Sequence, residues 1–501
     1  MITNAIQLSK RTNCKFKIEF TDFHSRATPM TLREYSGRTC KLCSCIRIEY
    51  GALTRSKGYD GMARGWLCTA MLRRCSSHIF KTVILLFVVS FLWLQLRIVN
   101  LKPDLFMSQR NHDPELNFFA NFSAILSSVN TTTPANLKLL ADTIEEVNIL
   151  QSVNNVEKFG TLNENDVVIV IQVHNRAQYL YALIESLRQA QNINQTLLVF
   201  SHDLFDSHIN ALIQRIDFTK VIQIFYPYSI QLHPNEFPGH DPKDCPRNMK
   251  KEEALRKGCN NAKYPDLYGH YREAKFTQTK HHWWWKVNHL MDGLHITKNH
   301  IGPVLLLEED HYVAPDFLYI LRMMENLKIT KCPQCNILCL GTYVKSYNYA
   351  AFTKKIEIVK WLSSKHNMGM VINRNLWDQI KKCAKAFCSF DDYNWDWSLQ
   401  HVSATCLPSP LTAMVAIAPR VFHIGECGVH HRGKDCSSDR VVHKVMRVLS
   451  SSSHHLFPET LTVHQSFRKP FKAPKGNGGW GDFRDHSLCC SQVKNASVDC
   501  S

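Results

Sequence analysis

Four apolar residues, Val304-Leu305-Leu306-Leu307, run without a break into three acids, Glu308-Glu309-Asp310, followed by His311. An uninterrupted apolar run of this length, bounded by polar residues, is the pattern of a strand buried on both faces of a parallel sheet. The carboxyl edge of such a sheet is where open α/β folds bind their ligands. Three carboxylates crowded at that edge repel one another strongly in a low dielectric, and a cation among them relieves the repulsion. Hard divalent ions such as Mg²⁺ or Mn²⁺ take oxygen donors of this kind.

The same type of strand appears upstream. Val167–Val173 is a buried-strand run, and His174-Asn175-Arg176 turns from it into a helix over 177–190 with Leu180, Leu183, Ile184 and Leu187 on one stripe. A second strand, Leu197–Phe200, ends at Ser201-His202-Asp203, and a third covers Val221–Phe225. Strand, helix and strand in alternation predict an α/β nucleotide-binding sheet of the doubly wound kind, with its ligand edge at the strand carboxyl ends. No G-x-G-x-x-G follows any of these strands and no G-x-x-x-x-G-K-[ST] occurs in the chain, so a nucleotide is to be held by side chains such as Arg176 and Asp203. Further on, Gln278–Lys286 reads as a helix in which Trp283, Trp284 and Trp285 point in three directions and mostly pack, while Lys280, His281 and His282 are candidates to meet a phosphate.

The formal charge of the 501-residue chain is +17, which invites a nucleic-acid reading. Residues 1–75, however, hold 14 Lys and Arg against 5 Asp and Glu, more than half of the excess. No basic, aromatic-interleaved groove follows them, which excludes a nucleic-acid partner. This basic tail has no hydrophobic period and is expected to be disordered. The apolar run Thr82–Leu96, extended to Ile79 and Ile98, approaches the ~20 residues needed to span a bilayer, and the span is read as residues 76–98. No small-residue cleavage site follows, and the basic side lies before the span, so the reading is a single-pass anchor with the bulk of the chain lumenal. Residues 99–158 read as a stem, with an amphipathic helix near 137–150 that could serve self-association, as in a homodimer, or packing. Residues 159–501 form the globular domain. Four N-x-S/T triplets, at Asn121, Asn130, Asn194 and Asn495, all lie beyond the anchor. Thirteen of the 19 cysteines lie between Cys245 and Cys500, and their short-spaced pairs suit loop staples in an oxidising compartment.

The motifs Gln172–Arg176, Glu308–Asp310, His366–Gly369, Asp391–Trp397, Phe422-His423 and Asn477–Asp482, in this order over about residues 160–490, resemble those of the N-acetylglucosaminyltransferase II family. The resemblance implies a GT-A glycosyltransferase fold, with a Rossmann-like sheet and a C-terminal acceptor-binding part, in a type II protein of the Golgi membrane. It implies a UDP-GlcNAc donor, an N-glycan acceptor and a Mn²⁺ ion. Carried over by position, Gln172, Val173, His174, Asn175, Arg176, Asp203, Gln278, Thr279, Lys280, His281 and His282 contact the donor, Asp310 and His423 ligate the metal, and Asp396 is the catalytic base. The implied disulfides are Cys245–Cys259, Cys332–Cys335, Cys383–Cys406, Cys388–Cys489 and Cys427–Cys436, which leaves Cys339, Cys490 and Cys500 over. The basic tail departs from the short cytosolic segment of the family.

The chemistry of these residues is consistent with an inverting transfer of GlcNAc in β1,2 linkage to the α1,6-arm mannose. A metal neutralises the leaving pyrophosphate, and one base takes the proton of the acceptor hydroxyl. Asp396 between Trp395 and Trp397 is flanked by rings that dry a site and raise a carboxyl pKa, while at least one of those rings is expected to pack the core. Two other readings remain: a related transferase with a different acceptor, and an inactive lumenal glycan-binding protein of the same fold. The intact Asp310, His423 and Asp396 argue against the second, since a lectin needs neither a base nor a pyrophosphate counter-ion.

Overall fold

The structure is a computed structural model and describes residues 17–18, 30–31, 133–344, 346–425, 438–464 and 473–493. The expected anchor at 76–98, the triplets at Asn121, Asn130 and Asn495, and the Cys427–Cys436 pair lie outside the described residues. Among the described residues no helix is long and apolar enough to cross a membrane. In an N-terminal unit, Met1–His112, the structure describes a two-residue antiparallel ladder, Lys17–Ile18 with Met30–Thr31. The second unit, Asp113–Ser501, carries the features discussed below.

This unit opens with α1 (Pro134–Leu150) and alternates through β1 (Val168–Val173), α2 (Ala177–Arg188), β2 (Leu197–His202), α3 (Ser207–Gln214), β3 (Lys220–Phe225), α4 (Ala274–Asn288) and β4 (Val304–Glu308). It continues with β5 (His311–Val313), α5 (Phe317–Lys331), β6 (Ile337–Cys339), β7 (Lys355–Lys360), β8 (Met370–Ile372) and α6 (Trp395–Thr405). It closes with β9 (Thr412–Ala416), β10 (Val421–His423), β11 (Thr462–His464) and α7 (Phe483–Ser491).

Among the described residues nine strands form one sheet in the order β11-β7-β9-β6-β8-β4-β1-β2-β3. The four apolar runs of the sequence pair in parallel as β4-β1-β2-β3. Chain order reverses at β1, with β2 and β3 on one side and β4 on the other, so the crevice of an open α/β sheet falls at the carboxyl ends of β1 and β4. The sheet is mixed where the sequence reading expects it parallel, because β8 runs antiparallel to both β4 and β6. Three residues, Met370-Val371-Ile372, carry too little pattern to reveal a strand direction.

Side chains alternate across the sheet and both faces are apolar, which is why the strands read as continuous hydrophobic runs. Val168 and Val170 pack with Trp283 and Trp284 of α4, while Ile169, Ile171 and Val173 pack with Leu180, Leu183 and Leu187 of α2 and Phe317 and Leu321 of α5. Each such residue, fully buried, contributes about 1.5–3 kcal/mol relative to exposure. The three tryptophans are all buried: Trp283 stacks on Trp395 at 4.3 Å between centroids, Trp284 on Phe387 at 4.3 Å, and Trp285 on His289 at 4.8 Å. Trp395, one of the two rings beside Asp396, is therefore core.

The four implied disulfides among the described residues are formed: Cys245–Cys259, Cys332–Cys335, Cys383–Cys406 and Cys388–Cys489. Cys339 is buried and free, whereas Cys490, left over by the sequence reading, is itself disulfide-bonded.

Residues 134–158 do not hang from the sheet as a stem. Leu140, Ile144 and Val147 of α1 are buried against Phe205 and Phe225. Asn148 pairs with β3 as a neighbouring strand would, its Nδ2 donating to Phe225 O at 2.7 Å and its Oδ1 accepting from Phe225 N at 2.9 Å. Asn154 adds an antiparallel bridge to Val221. The helix thus packs, and it covers an edge strand that would otherwise present unpaired backbone groups. Leu140→Ala is expected to cost about 2–5 kcal/mol, as for other buried Leu truncations. A urea midpoint unchanged in this variant would show that α1 is a detachable linker.

Candidate active site

The turn from β1 into α2 places Gln172–Arg176 against the end of β4. His174 N donates to Glu309 Oε2 at 2.8 Å, Arg176 Nε to Glu309 Oε1 at 2.6 Å, and Arg176 Nη1 to Asp310 Oδ2 at 2.6 Å. Glu309 is thereby committed to holding the loop. Burial pulls against the Arg176 charge, but Asp310 and Glu309 overcome it and raise the guanidinium further.

His423 reaches Asp310 through a second sheet. β5 leaves the acid cluster and pairs antiparallel with β10 in the register Val421↔Val313, Phe422↔Tyr312, His423↔His311. That register sets His423 Nε2 3.2 Å from Asp310 Oδ2. Burial tends to raise the Asp310 carboxyl, yet the His423 bond and the Arg176 charge hold it well below the usual carboxylate range. Asp310 Oδ1 is buried with no hydrogen-bond partner. A Cβ at Gly425 would collide with the Asp310 carboxylate, so only glycine leaves that approach clear.

Glu308, Asp310 and His311 offer ligand atoms within 4.8 Å of one another, a cluster able to hold a metal. Within it His311 is poorly suited, because its Nδ1 accepts from Glu308 N at 3.1 Å and its other nitrogen must then keep the proton. Burial also pulls His311 down to about 3, so it stays neutral. Asp310 with an unpartnered oxygen, and His423 with Nε2 turned toward it, fit a divalent ion that takes carboxylate and imidazole donors.

A cavity of about 990 Å³ spreads over this edge, enough for a nucleotide sugar, and Gln172, His174, Asn175, Arg176, Asp203, Gln278 and Thr279 line it together with Asp310 and His423. Val173 does not line it, since its side chain is wholly in the core; its carbonyl accepts from Asp203 N at 3.3 Å.

Gln278–His282 does not act as a block, because on α4 successive residues turn by about 100°. Gln278, His282 and Lys286 share one face: Gln278 Nε2 donates to Asp203 Oδ2 at 3.0 Å, His282 Nε2 meets Ser201 Oγ at 2.8 Å, and Lys286 Nζ donates to Gln172 Oε1 at 2.6 Å. Lys280 and His281 point away. Lys280 Nζ donates to the carbonyls of Phe390 (3.1 Å) and Asp392 (3.0 Å) beneath the Trp480 ring, and His281 Nε2 pairs with Asp485 at 2.9 Å. Lys280, His281 and His282 are all buried and none lines the cavity, so the phosphate contact expected of them is not available in this structure.

Asp396 stands on the same cavity in the first turn of α6, with Trp397 beside it. Its Oδ1 accepts from Trp397 N at 3.0 Å and its Oδ2 from Asn367 Nδ2 at 3.0 Å. Burial pushes the carboxyl up to about 7, against the pull of the Trp397 N–H and with Glu308 adding to the rise. A carboxylate that titrates near neutrality and faces an open cavity can accept a proton. Asp392 cannot compete, since it is buried and accepts four hydrogen bonds from Asn394 and Asn477.

Asn367 and Lys286 had no role in the sequence reading. The spacing of Lys286 from Gln278 and His282, four and eight residues along one helix face, was a signal available to it; nothing local in the sequence announces that Asn367 meets Asp396 across 29 residues.

A sequence model of the family described as N-acetylglucosaminyltransferase II (MGAT2) matches residues 141–489. The chain is 46% identical over 348 residues to the alpha-1,6-mannosyl-glycoprotein 2-beta-N-acetylglucosaminyltransferase of Sus scrofa, covering 70% of this chain and 78% of that one. To the protein of that name from Mus musculus it is 47% identical over 349 residues, covering 70% and 79%. The one from Arabidopsis thaliana is 36% identical over 349 residues, covering 68% and 77%.

Proposed function

The chain belongs to the N-acetylglucosaminyltransferase II family, and on that premise we propose that it transfers GlcNAc from UDP-GlcNAc, with Mn²⁺ at Asp310 and His423 and Asp396 as base. The acceptor is the α1,6-arm mannose of an N-glycan, linked β1,2. The protein is a type II enzyme of the Golgi membrane with a lumenal GT-A domain. The observation that carries the reading is one cavity with Asp310 and His423 at the strand ends and Asp396 facing it from α6.

Each residue then has a task. Arg176 fixes the β1–α2 turn on Glu309 and offers a cation beside the diphosphate. Asp203, held by His174 Nδ1 at 2.6 Å and by Gln278, is a rigid acceptor for a donor hydroxyl or base. Asp310 and His423 would hold the divalent ion, which would supply neutralisation of the charge on the leaving pyrophosphate. Asp396 takes the proton of the attacking mannose hydroxyl while the hydroxyl oxygen bonds to the anomeric carbon from the face opposite the breaking bond to the UDP oxygen, which leaves inverted configuration there. Its two donors, Trp397 N and Asn367 Nδ2, fix its orientation.

Transfer to defined N-glycan acceptors, with and without a chelator, tests this directly. Activity only on acceptors lacking the α1,6-arm mannose would replace the acceptor. The pH profile is a second test. With Asp396 near 7, its ionised fraction falls as pH drops through that value, so kcat is expected to fall by about tenfold per pH unit below it. A flat profile between pH 5 and 7 would remove Asp396 as the base.

A further inference from the structure

Of the four N-x-S/T triplets, Asn194-Gln195-Thr196 lies among the described residues, in the single turn Ile193–Gln195 that feeds β2. Asn194 is exposed, and its amide makes no hydrogen bond within the described residues. Beside it opens a hollow of about 460 Å³ lined by Lys158, Phe159, Asn163, Asp166 and Lys220, which leaves room for a first sugar. Thr196 is the opposite case. It is 1% exposed, and its hydroxyl donates to Ile193 O at 2.8 Å and lies 3.4 Å from Thr219 Oγ1. β2 then runs six residues, about 20 Å, to His202 and the cavity residue Asp203.

We propose that Asn194 carries an N-linked oligosaccharide, attached before this turn folds and displayed at the end of the sheet opposite the catalytic cavity. The proposal rests on the lumenal placement given above. In the transfer, Asn194 Nδ2 bonds to the anomeric carbon of a lipid-pyrophosphate-linked oligosaccharide. The bond from that carbon to the pyrophosphate oxygen breaks, the amide loses one proton, and the lipid pyrophosphate leaves. The triplet is read through the hydroxyl two residues on, and in the folded chain that hydroxyl is buried and committed. Modification therefore precedes the burial of Thr196. Because the turn sits a strand's length behind the cavity, the attached glycan lies away from the acceptor entry of its own chain.

The test uses the full chain expressed in animal cells, digested with peptide N-glycosidase in heavy-oxygen water and mapped by mass spectrometry. Conversion of Asn194 to labelled Asp is expected, and Asn194→Gln is expected to remove one glycan step in gel mobility while leaving the transfer rate unchanged. Asn194 bare while any of the other three triplets is occupied overturns this proposal alone. All four bare overturns the lumenal placement together with it. For the order of events, unglycosylated folded protein and a denatured aliquot are each incubated with an oligosaccharyltransferase and lipid-linked donor. Labelling of Asn194 in the denatured sample and at least tenfold less in the folded one is expected; equal labelling overturns the claim that attachment comes first.

Discussion

Asp310→Asn is expected to lower transfer by at least about 10³-fold, since charge stabilisation at a leaving group contributes several kcal/mol. The substitution keeps size and removes charge from the group whose Oδ1 is unpartnered and whose Oδ2 faces His423. The fold should survive, because Arg176 keeps its 2.6 Å bond to Glu309 and so does not become an unpaired buried cation. His423→Ala and excess chelator are expected to give the same loss. Calorimetric binding of UDP-GlcNAc should weaken along with the rate, because the lost residue belongs to the donor side of the cavity. Near-normal turnover in excess chelator would sink the metal reading, whatever the variants do.

Asp396→Asn is expected to behave differently. Donor binding should stay nearly intact while kcat falls by the ~10²–10⁴-fold typical of a lost general base. Stability separates this from simple damage. The folded protein holds the Asp396 proton more tightly than an unfolded chain does, so the fold loses stability as pH rises from the ordinary carboxyl range through about 7. Asn mimics the protonated form and carries no charge to bury. At pH 8 the variant should therefore melt no lower than the parent. A large drop in Tm, or a kcat within a factor of a few of the parent, would each defeat the assignment.

The strands that carry the site were legible because burial on both faces leaves unbroken apolar runs, as at Val304–Leu307 and Leu197–Phe200. The acids ending β4 and the turn at His174–Arg176 were legible for the same reason, as polar residues at a buried strand's end. What was not legible depends on geometry that no local pattern records. Lys280 and His281 look like phosphate ligands in a list of residues, and only the helical turn of α4 sends them to Phe390, Asp392 and Asp485. The antiparallel entry of β8 between β4 and β6, and the docking of α1 on β3, rest on contacts between segments far apart in the chain. Asn148 is the sharpest case: an asparagine in a helix gave no sign that its amide would complete a sheet.

The ribbon of β5 and β10 has a consequence for how the enzyme is born. Asp310 leaves the ribosome more than a hundred residues before His423, and the two meet only through a three-residue register. The parallel strands β1 to β4 can associate while synthesis continues, since domains tend to fold from the N-terminal side as they emerge. The pair of Asp310 and His423 cannot: it waits for residues 421–423, and a slip of one residue in the pairing would turn His423 to the opposite face. A nascent chain halted at residue 410 would thus hold β1 to β4 but lack β9, which joins β7 to β6, and β10, which carries His423. The pairing of Asp310 with His423 is therefore completed only after β10 has emerged and zipped onto β5.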